Sequence, residues 1–139
     1  MNISFNKRFL FFLFICFLIY LQGIFKLPVM DRDEARFATA SKTMLIEKDF
    51  IDIKMVEEKR YKKPIGIYWT QSLMNSIFGS YPYDKISIYR LPSILGVFIS
   101  FFLIFLIIRN IENESIAFLS VFFLIFSFLT ISEIHQAKT

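Results

Sequence analysis

A chain of 139 residues that is 55% hydrophobic and 19% aromatic, with a mean hydropathy of +0.53, carries more apolar surface than a soluble domain of its length can bury. Its net charge of +4 comes from 16 basic and 12 acidic residues that interleave in one region without a basic stripe, which excludes nucleic acid as the partner. The single cysteine, Cys16, lies in an apolar run and excludes an intramolecular disulfide.

The first element follows a short basic start at Lys7 and Arg8. From Phe9 to Phe25 the chain is apolar almost without interruption, with Tyr20 the main polar exception. About 20 such residues are what a helix needs to cross roughly 30 Å of hydrocarbon, so a transmembrane helix is expected over about 9–26. A signal peptide also begins with basic residues before an apolar run. This run, however, exceeds a signal h-region, and Phe25-Lys-Leu-Pro28 offers no small-residue cleavage site.

A loop of about 27–85 follows. Leu27-Pro-Val29 reads as an extended exit. Asp31 then reads as an N-cap, with Glu34 three residues later in a capping-box arrangement. Phe37, Met44 and Leu45, with Ala38 and Ser41 between them, fall at helical spacing and predict an amphipathic helix over about 32–47, suited to the bilayer interface. The β-branched stretch 49–56 predicts a short strand, and Glu57-Glu-Lys-Arg60 a solvated turn. Pro64 suits the first turn of a second helix running through Tyr68, Trp69, Leu73 and Met74 to Phe78, with Gly79 as its stop. Tyr68, Trp69, Tyr81 and Tyr83 suit an aromatic belt at headgroup level.

Two further apolar runs predict transmembrane helices over about 86–108 and 116–131, joined by a turn that Asn113 or Ser115 caps. Arg90 is expected to snorkel and Pro92 to be tolerated near the helix start. The fold expected is therefore an all-α integral membrane protein: three transmembrane helices plus a long loop with two interfacial amphipathic helices. Three spans put the long loop and the tail 133–139 on one face. The basic residues of the loop outnumber those at the other end, but the loop is near the length at which the positive-inside rule weakens, so charge leaves orientation open.

Within the loop, two polar clusters exceed what a lipid-embedded chain needs. Asp31, Asp33 and Glu34 crowd one helix start, interleaved with Arg32 and Arg36. Acids belong there as caps and as complements to the helix dipole. A carboxylate so held can also serve as general base or hold a divalent cation against a phosphate. Lys62 and Lys63 before Pro64 read either as a solvated turn or as phosphate-binding ammonium groups, and Arg36 can act likewise. Tyr61, Tyr68 and Trp69 read as interface anchors or as stacking surfaces for a sugar. Lone His135, in the tail, reads as incidental. No Cys/His metal spacing, glycine-rich phosphate loop or Ser/His/Asp set is present.

Asp33-Glu-Ala-Arg-Phe37 resembles the DExRY/F motif that follows the first transmembrane helix of GT-C type polytopic glycosyltransferases, in particular the aminoarabinose transferases of lipid A and the related protein mannosyltransferases. Tyr61-Lys-Lys-Pro-Ile-Gly-Ile-Tyr-Trp69 with Ile77-Phe-Gly79 is similar to their KPPxxYW and LFG segments. Ile88-Tyr-Arg-Leu-Pro-Ser93 is similar to xARLPS, and Gln136-Ala-Lys-Thr139 to the start of an ARTD motif. The four segments come in the family's order and cover nearly the whole chain.

The resemblance implies an inverting transferase that takes a sugar from a polyprenyl-phosphate donor and passes it to a lipid or protein acceptor outside the cytoplasm, in a bacterial inner membrane. It implies Asp33 as the catalytic carboxylate and Lys63 and Arg36 as donor-phosphate ligands. Glu34, Tyr61, Tyr68, Trp69 and Lys138 would support them. No cofactor is implied with certainty, and a divalent cation is left open. It also implies that the long loop is periplasmic. Two departures stand out. Lys62 replaces the glutamate common before the Lys-Pro step of the aminoarabinose group, and these enzymes have about a dozen spans, so the chain is expected to be a fragment, inactive alone. The rival readings are a small non-enzymatic membrane protein whose basic loop binds anionic lipid or a partner subunit, and a piece of a transporter, although no mid-membrane charge marks a pathway.

Overall fold

The structure, a computed structural model, describes residues 7–55, 58–59 and 63–137. Six helices and one small hairpin account for it: α1 (Lys7–Lys26), α2 (Arg32–Glu47), β1 (Lys54–Met55), β2 (Glu58–Lys59), α3 (Gly66–Phe78), α4 (Ile86–Ile111), α5 (Glu114–Ile125) and α6 (Phe128–Glu133). Helices α1 and α4 are long and apolar enough to cross a membrane. Their outward positions, including Phe11, Phe14, Ile19, Ile99, Leu103 and Ile107, are exposed large hydrophobics, as expected of surfaces that meet lipid rather than water.

The first core forms where α1, α4 and α5 pack. Phe9, Leu13, Cys16, Tyr20 and Ile24 line one stripe of α1 at helical spacing, against Ile94, Phe98, Phe101 and Phe105 of α4 and Ala117, Val121 and Ile125 of α5. The start of α1 meets the far end of α4, with Phe9 stacked on Phe105 at 3.6 Å between centroids. The end of α1 meets the end of α5, where the Tyr20 hydroxyl donates to the Ile125 carbonyl at 2.6 Å. The three helices therefore run up, down and up.

The third apolar run is not one helix. α5 stops at Ile125 after 12 residues, about 18 Å, and α6 restarts at Phe128. Ser127 causes the restart: its hydroxyl accepts from the Thr130 N–H at 3.2 Å and so caps α6. A helix broken where its end is buried strands carbonyls that water cannot reach, and Tyr20 satisfies one of them. Beyond α6, His135 lies in a slot on α1. Its ring stacks on Tyr20 at 5.5 Å, with Nε2 3.2 Å from the Tyr20 carbonyl. Gly23 makes the slot, because a Cβ there would drive into the imidazole. The histidine expected to be incidental thus seats the tail on α1.

The second core is smaller. Phe37, Ala40 and Met44 of α2 pack with Ile53 and Tyr68, and Phe37 and Tyr68 lie 5.3 Å apart between ring centroids. Tyr68, expected at headgroup level, is buried there. Hydrogen bonds tie α2 to α3 across this core: Ser41 Oγ donates to Gln71 Oε1 at 2.7 Å, and Ser72 Oγ to the Ser41 carbonyl at 3.0 Å. The strand expected over 49–56 is confined to β1, whose antiparallel partner β2 falls within the stretch expected as a turn. Gly79 ends α3 in extended conformation rather than left-handed. It is needed because a Cβ would collide with the Asn75 carbonyl, to which its own N–H donates at 2.9 Å.

Candidate functional site

The start of α2 collects the acidic cluster, and its three carboxylates have three fates. Asp31 is the N-cap, extended at φ −137° and ψ 150°, its side chain accepting from the Asp33 N–H at 3.4 Å. Asp33 turns outward, half-exposed, with Oδ1 2.9 Å from Nη1 of Arg36 one turn on. Glu34 turns inward and is fully buried.

Glu34 is paired with Arg90, which is buried as completely. Arg90 was expected to snorkel; instead every one of its N–H groups has a partner in the interior. Nε donates to Glu34 Oε1 at 2.7 Å and Nη2 to Oε2 at 3.0 Å. Nη1 donates to the Ile24 and Leu27 carbonyls at 3.0 and 2.7 Å, and Nη2 to the Pro28 carbonyl at 2.7 Å. The cause lies at the end of α1. Pro28 has no N–H to return to Ile24 four residues back, so the last turn of α1 leaves carbonyls free, and the guanidinium of α4 caps them.

The remaining lone pairs of Glu34 accept from two backbone N–H groups. One is Met30, at 3.0 Å to Oε2, which is the capping box displaced by one residue beyond the N-cap. The other is Ala137, at 2.9 Å to Oε1. The other backbone group of Ala137 is held by α3, where Gln71 Nε2 donates to the Ala137 carbonyl at 3.1 Å. Burial pushes the Glu34 carboxyl up, but the Arg90 guanidinium and the two N–H groups outweigh it and hold the group below its ordinary range.

The other expected site residues distribute as follows. Lys63 is exposed ahead of α3. Tyr68 is a core residue, and Trp69 is half-exposed, its indole N–H donating to the Phe50 carbonyl at 2.7 Å. Tyr61, Lys62 and Lys138 lie outside the described residues. Among the described residues no three His, Cys, Asp or Glu side chains group as metal ligands. Gln71 and Arg90 are the residues that sequence reasoning missed. A glutamine on the inward face of an amphipathic helix, and an arginine two residues ahead of a proline in an apolar run, were the signals available. Neither names its partner.

A groove of about 480 Å³ lies on another face of α2. Ala35, Ala38 and Thr39 line it, with Tyr83 and Tyr89 opposite, and an ion pair of Lys42 with Asp84 lies at its edge. A more apolar groove of about 510 Å³ lies between Leu45, Phe50, Trp69 and Leu73.

Comparison with known proteins places these residues in a family setting. Residues 62–138, more than half of the chain, match the family described as dolichyl-phosphate-mannose-protein mannosyltransferase. A curated relative from Proteus mirabilis, an undecaprenyl phosphate-alpha-4-amino-4-deoxy-L-arabinose arabinosyl transferase 2, is 28% identical over 116 residues, covering 83% of this chain and 20% of that protein. A protein of the same description from Pseudomonas fluorescens is 29% identical over 97 residues, covering 70% of this chain and 16% of its own length. The chain thus spans about one-fifth of the curated relatives it matches. No solved structure matches it at comparable significance.

Proposed function

The chain belongs to the dolichyl-phosphate-mannose-protein mannosyltransferase family, and on that premise we propose that it forms the acceptor-activating part of a membrane glycosyltransferase that draws a sugar from a polyprenyl-phosphate donor. The acceptor is a lipid or a protein, and the helices α2 and α3 lie along the outer, periplasmic interface of the inner membrane. The third span is α5 continued by α6. Both relatives are undecaprenyl phosphate-alpha-4-amino-4-deoxy-L-arabinose arabinosyl transferases, which supports this donor class.

In this reading the acceptor hydroxyl attacks the anomeric carbon, the bond from that carbon to the phosphate oxygen breaks, and Asp33 takes the hydroxyl proton. Lys63 and Arg36 stabilise the departing phosphate. Arg36 can serve while paired to Asp33, since that contact uses one of its five N–H groups. A divalent cation held between an outward carboxylate and the phosphate fits the same arrangement, with the ligands to be shared with substrate.

One observation carries the proposal. Of the three carboxylates at the start of α2, Asp31 caps the helix and Glu34 is buried against Arg90, while Asp33 is half-exposed and lies 2.9 Å from the Arg36 guanidinium. Asp33→Asn in the intact protein should lower sugar transfer by about 10²–10⁴, the usual yield of a general base, without reducing the amount of protein inserted in the membrane. Transfer at the parent rate would refute the assignment. Loss of anionic-lipid binding on removing Arg32 and Arg36, with no effect of Asp33→Asn, would favour a non-enzymatic lipid-binding loop instead.

A further inference from the structure

Four chain segments far apart in sequence meet around one residue, Ala137. The Ala137 N–H donates to Glu34, and its carbonyl accepts from Gln71. Glu34 is itself fixed by Arg90, and Gln71 by Ser41. The segment that follows α6 is therefore gripped from both sides, by α2 on one edge and by α3 on the other. The gripping groups are all fully buried, as is Ala137. Backbone groups are what is recognised, so the grip sets the position of the chain at 137 whatever its side chains.

The grip is also next to the proposed chemistry. Glu34 follows Asp33 directly, and α2 is stiff over that step, so the position of Asp33 relative to the tail is set by the same contacts. We propose that Glu34, Arg90 and Gln71 are positioning residues of the transferase: they clamp the Ala137 backbone so that the chain following α6 is held in fixed register with the outward carboxylate Asp33. None of the three touches the reacting atoms. This inference rests on the reading of Asp33 as the base, but the clamp itself has a separate readout.

Two substitutions open the clamp from opposite sides. Gln71→Met removes the donor to the Ala137 carbonyl at nearly unchanged volume, and Ala137→Pro removes the N–H that Glu34 accepts. Ser76→Ala is the control: it takes a hydroxyl from the exposed face of α3 and leaves both backbone groups of Ala137 held. Spin labels go on exposed positions 32 and 133 of the intact protein in lipid nanodiscs, with Cys16→Ala. The parent and Ser76→Ala should show one narrow distance distribution, and Gln71→Met and Ala137→Pro a distribution at least twice as wide.

Turnover is read with undecaprenyl phosphate-4-amino-4-deoxy-L-arabinose as donor. In the two opened variants it should fall at least tenfold, with KM for the donor within twofold and the folded fraction unchanged. A narrow distribution in both opened variants overturns the clamp. A loss of turnover no greater than the loss of folded protein overturns its positioning role and leaves only a structural one. Asp33→Asn separates the two readings, since it should abolish turnover and leave the distance distribution narrow. If it retains turnover, the base assignment fails while the distance measurement still decides the clamp.

Discussion

Asp33 and Glu34 differ by one methylene and one step of about 100° around a helix, and that step puts one carboxylate outside and the other in the interior. Inside, Glu34 is tolerable only because Arg90 and two N–H groups meet its oxygens. Arg90→Leu would leave that carboxylate buried and uncompensated. The expected loss is about 3–5 kcal/mol, read as a lowered midpoint of thermal unfolding in detergent. Replacing both by leucine should recover much of it, because the cost lies in the orphaned charge more than in the lost pair.

The pH dependence has a definite sign. The Glu34 carboxyl is held below its ordinary value of 4.5 by Arg90 and the backbone donors, which outweigh burial. Its contribution is therefore fully present above that ordinary value and is lost as the pH falls through the lower folded value. Unfolding midpoints should be flat from neutral pH down to about 5 in this respect and drop in stronger acid. In Glu34→Gln that drop should be weakened.

At the scale of elements, α1, α2 and α4 were legible because each follows from a local rule: apolar runs of membrane length for α1 and α4, and a cap with helical spacing for α2. The division between α5 and α6 was not, because Ser127 looks like one tolerable hydroxyl in an apolar run. What makes it a boundary is a partner from another helix. Tyr20→Phe tests this. It would strand the Ile125 carbonyl at a cost of about 1–3 kcal/mol, and the helix content should shift as α5 and α6 tend to fuse. An unchanged midpoint would mean that another group serves that carbonyl. Tyr68 failed as a belt residue for a similar reason: one helical step from Trp69 reverses its face, and only the packing on Phe37 shows which face is inward.

For the molecule as a whole, the proposed three spans predict which loops share a side. Single cysteines at Lys48 and Glu133, in a Cys16→Ala background, should react with an impermeant thiol reagent from the same side of intact vesicles. A cysteine at Glu112, in the turn between α4 and α5, should react only from the other. Labelling of all three from one side would remove the up-down-up arrangement across a bilayer. The motif segments were readable one at a time in the sequence, and their order along the chain pointed to the family. That three of them converge through Glu34, Arg90 and Ala137 was not readable, since their contacts span 56 and 103 residues and no local pattern encodes such a pairing.

Those separations have a bearing on biogenesis. As the ribosome delivers the chain to the translocon, Glu34 emerges long before Arg90 and longer still before Ala137. Until the arginine arrives, the carboxylate must stay hydrated. The end of α1 must likewise leave its carbonyls to water or to lipid headgroups. Helices α2 and α3 thus cannot settle onto α1 and α4 as they are made, and the joint closes only when residue 137 has been delivered.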